Sequence, residues 1–176
     1  MNKKFTKRFI LFFLILSSCM SCCREDDLLR NTREDYIGDD IRIDGFYYSF
    51  FQGEIHNVLF LYRNGVFFKV ISDEKKRTKP EEVQTLLTED RLERYKTHKD
   101  LWGIFIIKNN NILLDKWTWA GLGWKTTVIE SGTILNDTSF VITKRDNLRE
   151  GIKDSNETYY FYPYSPKPDS TNIFIK

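Results

Sequence analysis

The sequence predicts a mainly β fold, an antiparallel meander closing into a barrel or half-barrel with one helical insertion. Three observations carry this. After Ile41 the chain is a series of aromatic and β-branched runs separated by Gly, Asn and Asp, the pattern of strands and tight turns. Phe, Trp and Tyr make up 15% of the residues, enough large side chains to fill a small β core. The intervals between runs are short, so each strand pairs with the next. Closing about eight such strands removes the exposed edges that make open meanders aggregate. A two-sheet β-sandwich is the alternative.

The first residues read as a cleaved export signal. Lys3, Lys4, Lys7 and Arg8 precede an apolar run from Phe9 to Leu16, too short to remain as a bilayer-spanning helix. Leu16-Ser17-Ser18-Cys19 resembles the lipobox of bacterial lipoproteins, which implies cleavage after residue 18 and lipidation of Cys19. Cys22 and Cys23 fit less well, because only Cys19 has Leu three residues before it and two small residues between. The residue after Cys19 is Met20, and the lack of an acid there implies, by the same resemblance, the outer membrane.

Loss of residues 1–18 removes four basic groups and no acid, so the formal charge of +2 falls by four to −2. A mature chain of that charge offers no global field for nucleic acid, and no nucleic-acid partner is expected. All three cysteines lie at this junction, which excludes a disulfide framework, a zinc cluster or a cysteine nucleophile in the body.

Residues 19–40 are dominated by charge and carry few large apolar side chains to build a core, and they read as an acidic tether. Glu25-Asp26-Asp27 resembles the surface-export signal of Bacteroidetes lipoproteins, so a cell-surface and a periplasmic orientation both stay open. Residues 41–176 then form one β-meander domain.

Within it, Phe46 to Phe51 is the first strand. Val58 to Arg63 and Val66 to Ile71 flank Asn64-Gly65, a pair suited to the two positive φ angles of a type I′ hairpin turn. Residues 79–97 are the helical insertion. Thr78-Lys79-Pro80-Glu81 reads as a capping box, and the apolar stripe of Val83, Leu86 and Leu87 slips at Leu92 and Tyr95, which predicts a bend or a second short helix near Thr88. The insertion packs against the sheet or plugs it.

A second hairpin joins Leu101–Ile107 to Ile112–Trp119 through Lys108 to Asn111, and a third joins Thr126–Ile134 to Thr138–Lys144 through Leu135-Asn136-Asp137. Thr158 to Tyr162 is the last strand. The tail from Pro163 to Asn172 holds three of the chain's four prolines and reads as an extended loop.

Trp102-Gly103-x-Phe105-x-Ile107, Gly132-x-Ile134-x-Asn136-Asp137-x-x-Phe140 and the tail from Phe161 to Asn172 resemble a group of small uncharacterised Bacteroidetes lipoproteins. The resemblance runs from about Tyr62 onward. It implies a lipocalin-like meander and supplies no reaction.

Candidate chemistry is sparse. His56 and His98 are the chain's two imidazoles. Glu54-x-His56 lacks further ligands at metal-site spacing, and His98 follows a charged helix, so neither a metal nor another cofactor is implied. Gly121-Leu122-Gly123 lies between Trp119 and Trp124 and reads as a loop rather than a phosphate cradle. Asn136-Asp137-Thr138 and Asn156-Glu157-Thr158 read as turns, whereas Asp169-Ser170-Thr171 resembles the O-glycosylation motif of exported Bacteroidetes proteins, with Ser170 as acceptor.

Trp117-x-Trp119 sends two rings to one strand face. They either fill the barrel or, with Trp124, border a mouth where they stack on a glycan or an apolar ligand; Tyr62, Tyr159 and Tyr160 would line the same cavity. The leading expectation is a non-enzymatic lipoprotein, held in the membrane by its lipid, that binds a small ligand or an envelope protein. A structural accessory subunit with a filled barrel is the second reading, and a hydrolase is the third.

Overall fold

The computed structural model describes residues 26–71, 76–120 and 124–176. The signal segment, Cys19, Cys22, Cys23, Glu25 and the Gly121-Leu122-Gly123 loop lie outside the described residues. Eight antiparallel strands run β1 (Gly45–Phe51), β2 (Glu54–Leu61), β3 (Val66–Ile71), β4 (Trp102–Lys108), β5 (Asn111–Trp119), β6 (Lys125–Asn136), β7 (Ser139–Asn147) and β8 (Gly151–Pro163). Each pairs with the next, and β1 pairs with β8, so the barrel is closed and has no free edge. This is the meander barrel of the sequence reading, neither a half-barrel nor a sandwich.

Three turns differ from expectation. The β2–β3 loop has three residues, not two: Gly65 N–H donates to Tyr62 O and Tyr62 N–H to Val66 O, and only Gly65 has positive φ, +72°. A type I turn followed by a left-handed glycine thus replaces the type I′ turn. The close approach of Glu34 explains the glycine, since a Cβ there would sit 1.9 Å from Glu34 O. Paired positive φ angles occur instead at Gln52-Gly53, between β1 and β2, and at Asn109-Asn110, between β4 and β5. The β6–β7 turn falls at Asp137-Thr138, because Asn136 Oδ1 accepts from Thr138 N–H and Ser139 Oγ. β8 begins at Gly151, so Asn156-Glu157-Thr158 belongs to a strand rather than a turn.

Between β3 and β4 lie α1 (Pro80–Val83), a 3-10 turn over Gln84–Leu86, α2 (Glu89–Lys96) and a second 3-10 turn over Lys99–Leu101. The bend at Thr88 is present. The first cap is shifted by one residue: Lys79 is the N-cap, and Glu82 rather than Glu81 reaches back to the Thr78 and Lys79 N–H groups.

Strand alternation divides the apolar residues into two cores. Inside the barrel, Tyr47, Leu61, Phe67, Phe105, Ile112 and Phe140 pack toward the end where β1 begins, and Tyr36 and Ile41 cover that end. Phe140 stacks on Tyr159 at 4.8 Å between ring centroids. Outside, Phe46, Phe60, Phe68 and Trp102 are covered by Val83, Leu86 and Leu87 of the insertion and by Tyr164, Phe174 and Ile175 of the tail. The insertion therefore packs on the outer wall and does not plug the lumen. Full burial of each such ring is worth about 2–3 kcal/mol.

The stretch read as a tether lies, from Asp26 on, along the barrel. Asp115 Oδ2 accepts from the Arg30 and Asn31 N–H groups and from the Asn31 side chain, while Asp27 N–H donates to Lys125 O. Arg30 pairs with Asp146 at 2.8 Å and Lys108 with Glu34 at 2.7 Å. Arg30 and Glu34 thus find partners on β7 and β4, Asp115 on β5 takes the backbone of the stretch, and Tyr36 supplies the core residue that anchors it. No helix among the described residues is long and apolar enough to cross a membrane.

Candidate functional site

The lumen changes character along its length. Beyond the aromatic layer, the inward positions of successive strands carry Ser49 (β1), Asn57 (β2), Lys69 (β3), Lys116 (β5), Glu130 (β6), Arg145 (β7) and Glu157 (β8), a polar layer facing the end where β1 finishes and β2 begins. Above it opens a cavity of about 430 Å³, floored by Lys69, Lys116, Glu130 and Arg145 and bordered by His56, Asp100, Asn147, Glu150 and Lys153.

Two carboxylates organise the floor. Glu130 is 3% exposed and takes Lys116 Nζ at 2.7 Å and Arg145 Nε at 3.1 Å. Burial by itself raises its pKa, but the Lys116 and Arg145 charges and the Lys116 hydrogen bond outweigh that and hold the carboxyl below its ordinary range. Glu157 accepts from the Ser49 hydroxyl, the Asn57 amide at 2.6 Å and the Arg145 guanidinium. Burial again opposes ionisation, and these donors together lower the pKa.

Lys69 is different. Its half-buried side chain lines the cavity and has no ion-pair or hydrogen-bond partner among the described residues. Burial first, and then the neighbouring Lys116 charge, push its ammonium down to about 8. At the rim the other charges are matched, Lys153 with Glu150 at 2.6 Å and Lys125 with Asp100 at 3.0 Å.

The aromatic residues singled out from the sequence do not converge on this floor. Trp117 and Trp119 do share one strand face, but it is the outer one, because Lys116 and Thr118 take the inward positions of β5. Both nevertheless border the cavity at its rim. Trp117 is buried, its Nε1–H donating to Asp27 O at 2.8 Å and its ring under the Lys99 ammonium. Trp119 is 62% exposed, with Lys125 Nζ 3.4 Å from its ring centre, and Trp124 stacks with Arg149.

Of the tyrosines, Tyr159 lies in the lumen beneath the polar layer. Tyr62 follows β2 at the opposite end, where the Lys167 ammonium covers its ring, and Tyr160 alternates to the outer face. These two do not share the cavity, because strand direction separates Tyr62 from the mouth and the two-residue period turns Tyr160 away from Tyr159.

Ser170 is half-buried, its Oγ accepting from the Asn64 amide at 3.1 Å, and neighbouring Asp169 binds Lys96. Glu54 pairs with Lys76, and His56 packs its ring 5.6 Å from Phe51. Among the described residues no cluster of three His, Cys, Asp or Glu could hold a metal. Compared with protein-family models, curated proteins and solved structures, the chain matches none.

Proposed function

We propose that the protein is an outer-membrane lipoprotein, anchored through Cys19, that acts without catalysis as a binding module for a small molecule held in the barrel mouth. The observation that carries this reading is the cavity of about 430 Å³ in a barrel whose other half is filled and covered. A volume of a few hundred Å³ with converging polar groups suits a small ligand, whereas a structural subunit with a filled barrel would leave no such space. The polar floor favours a hydrophilic ligand over an apolar one.

The anchor and the cavity are linked through geometry. Asp26 is fixed beside the mouth by its contacts with Lys99 and with the Lys125 N–H. The seven Cα-to-Cα steps from Cys19 to Asp26 reach at most about 25 Å even when fully extended. An acyl chain on Cys19 would therefore hold the open end of the barrel near the bilayer surface.

Native mass spectrometry of the full chain, purified in detergent from its own envelope, tests both parts. The expected result is a covalent acyl mass lost in Cys19→Ser, together with a non-covalent small species released on unfolding. A chain with neither mass would refute the reading.

A further inference from the structure

We infer that the mouth cavity is an anion site, in which Lys69 receives a carboxylate or phosphate group of the ligand. This deepens the binding reading above and rests on it.

The argument is one of matched and unmatched charge. The floor holds three cations, Lys69, Lys116 and Arg145, with the carboxylate of Glu130, and Glu157 joins them from the adjoining strand through Arg145. Both carboxylates are engaged by Lys116, Arg145, Ser49 and Asn57. The rim acids Asp100 and Glu150 have lysines of their own. Lys69 alone among the floor cations has no carboxylate within ion-pair distance, yet it projects from β3 into the same cavity.

An ammonium taken partly out of water without a partner is unfavourable, and an incoming anion would meet it with a charge-assisted hydrogen bond. Lys116, tied to Glu130, adds positive potential from the adjacent wall. A neutral ligand gains only an ordinary hydrogen bond from this arrangement, and a cationic one is repelled by Lys69. The cavity volume accommodates a molecule about the size of one hexose.

Glucuronate, glucose 6-phosphate and glucose, titrated calorimetrically into the full-length protein, separate carboxylate, phosphate and neutral ligands of one shape. At least one anion is expected to bind about tenfold more tightly than glucose, and which one binds identifies the group. Lys69→Met should remove that preference and Lys69→Arg should keep it. Independently of folding in the variants, saturating anion should slow acetylation of Lys69 in the unaltered chain, read by peptide mass spectrometry, and leave Lys144 on the outer wall unaffected.

Equal binding of glucose and both anions, or acetylation of Lys69 at one rate with and without anion, overturns the site. So does failure of the wild-type chain to bind either anion. In each of those cases a non-covalent species in the native mass spectrum would still uphold the binding module, so the two proposals fail separately.

Discussion

Glu130 holds Lys116 at 2.7 Å in a barrel wall where the carboxylate is almost wholly shielded from water, and Arg145 shares the same carboxyl. The pair is not symmetric. Removing Lys116 leaves Glu130 with Arg145, whereas removing Glu130 leaves Lys116 facing Lys69 with no anion between them. Glu130→Gln should therefore cost about 3–5 kcal/mol of stability and Lys116→Met only about 1–3 kcal/mol. Replacing both by Leu and Met should recover part of the loss. Urea unfolding of the three variants checks the order, and equal costs for the two single changes would refute this account of the floor.

Two turn glycines separate backbone strain from steric contact. Gly53 and Gly65 both have positive φ, +81° and +72°, but Gly53 has open space where a Cβ would stand and Gly65 has Glu34 O at 1.9 Å. Gly53→Ala should cost about 1 kcal/mol, the left-handed penalty alone. Gly65→Ala adds displacement, at Glu34, of the strap, the segment from Asp26 to Asp40 that lies along the barrel, and should cost clearly more. Hydrogen exchange at Tyr36 N–H, bonded to Arg63 O across the same turn, should quicken only in Gly65→Ala. Matching stabilities and matching exchange would show that the strap is not held there.

The strands were legible because their apolar and aromatic runs are short, as in Phe67-Phe68 and Ile112-Leu113-Leu114, and are separated by turn residues. Closure followed from the edge argument. The turn at Asn64-Gly65 misled because Asn-Gly also suits a three-residue loop in which the glycine alone is left-handed, and the close approach of Glu34 to Gly65 is a long-range contact that no local pair encodes. The candidate site was harder to read for the same reason. Lys69, Lys116 and Glu130 each occupy an inward position, two residues from Phe67, Leu114 and Val128, and that break in the apolar period was visible in principle. Their meeting depends on register around the barrel, which residue spacing does not supply. The Trp117-x-Trp119 face was recognised, but alternation leaves its direction open, and Lys116 turns out to take the lumen.

The two tryptophans should respond unequally to truncation. Trp117 is 4% exposed and bonded to the strap, so Trp117→Ala should destabilise by about 3–5 kcal/mol through lost packing. Trp119 is mostly exposed and touches Lys125, so Trp119→Ala should cost no more than about 1 kcal/mol. Thermal melts compare them. Since Trp119→Ala remains folded, its anion titration reports whether the rim ring contacts the ligand: weakened affinity places it in contact, and unchanged affinity confines binding to the floor.

The pH dependence of anion uptake follows from Lys69. Its pKa of about 8 in the empty cavity means that the ammonium is largely protonated below that value and progressively neutral above it. An anion favours the protonated form, so binding raises the Lys69 pKa, and affinity should be full below about 8 and fall by up to tenfold per pH unit above it. The groups facing Lys69 are Lys116 on β5, Glu130 on β6, Arg145 on β7 and Glu157 and Tyr159 on β8, with Asn57 and His56 on β2 toward the rim. Glu130 and Glu157 are held below the carboxylate range, and burial raises Tyr159 well above its usual value, so these three keep one protonation state across the window. Titrations from pH 6.5 to 9.5 should break near 8 in the wild type and in His56→Asn, and Lys69→Arg should flatten the profile. A break that moves with His56→Asn and persists in Lys69→Arg would assign the titration to another group and refute Lys69 as the anion's partner.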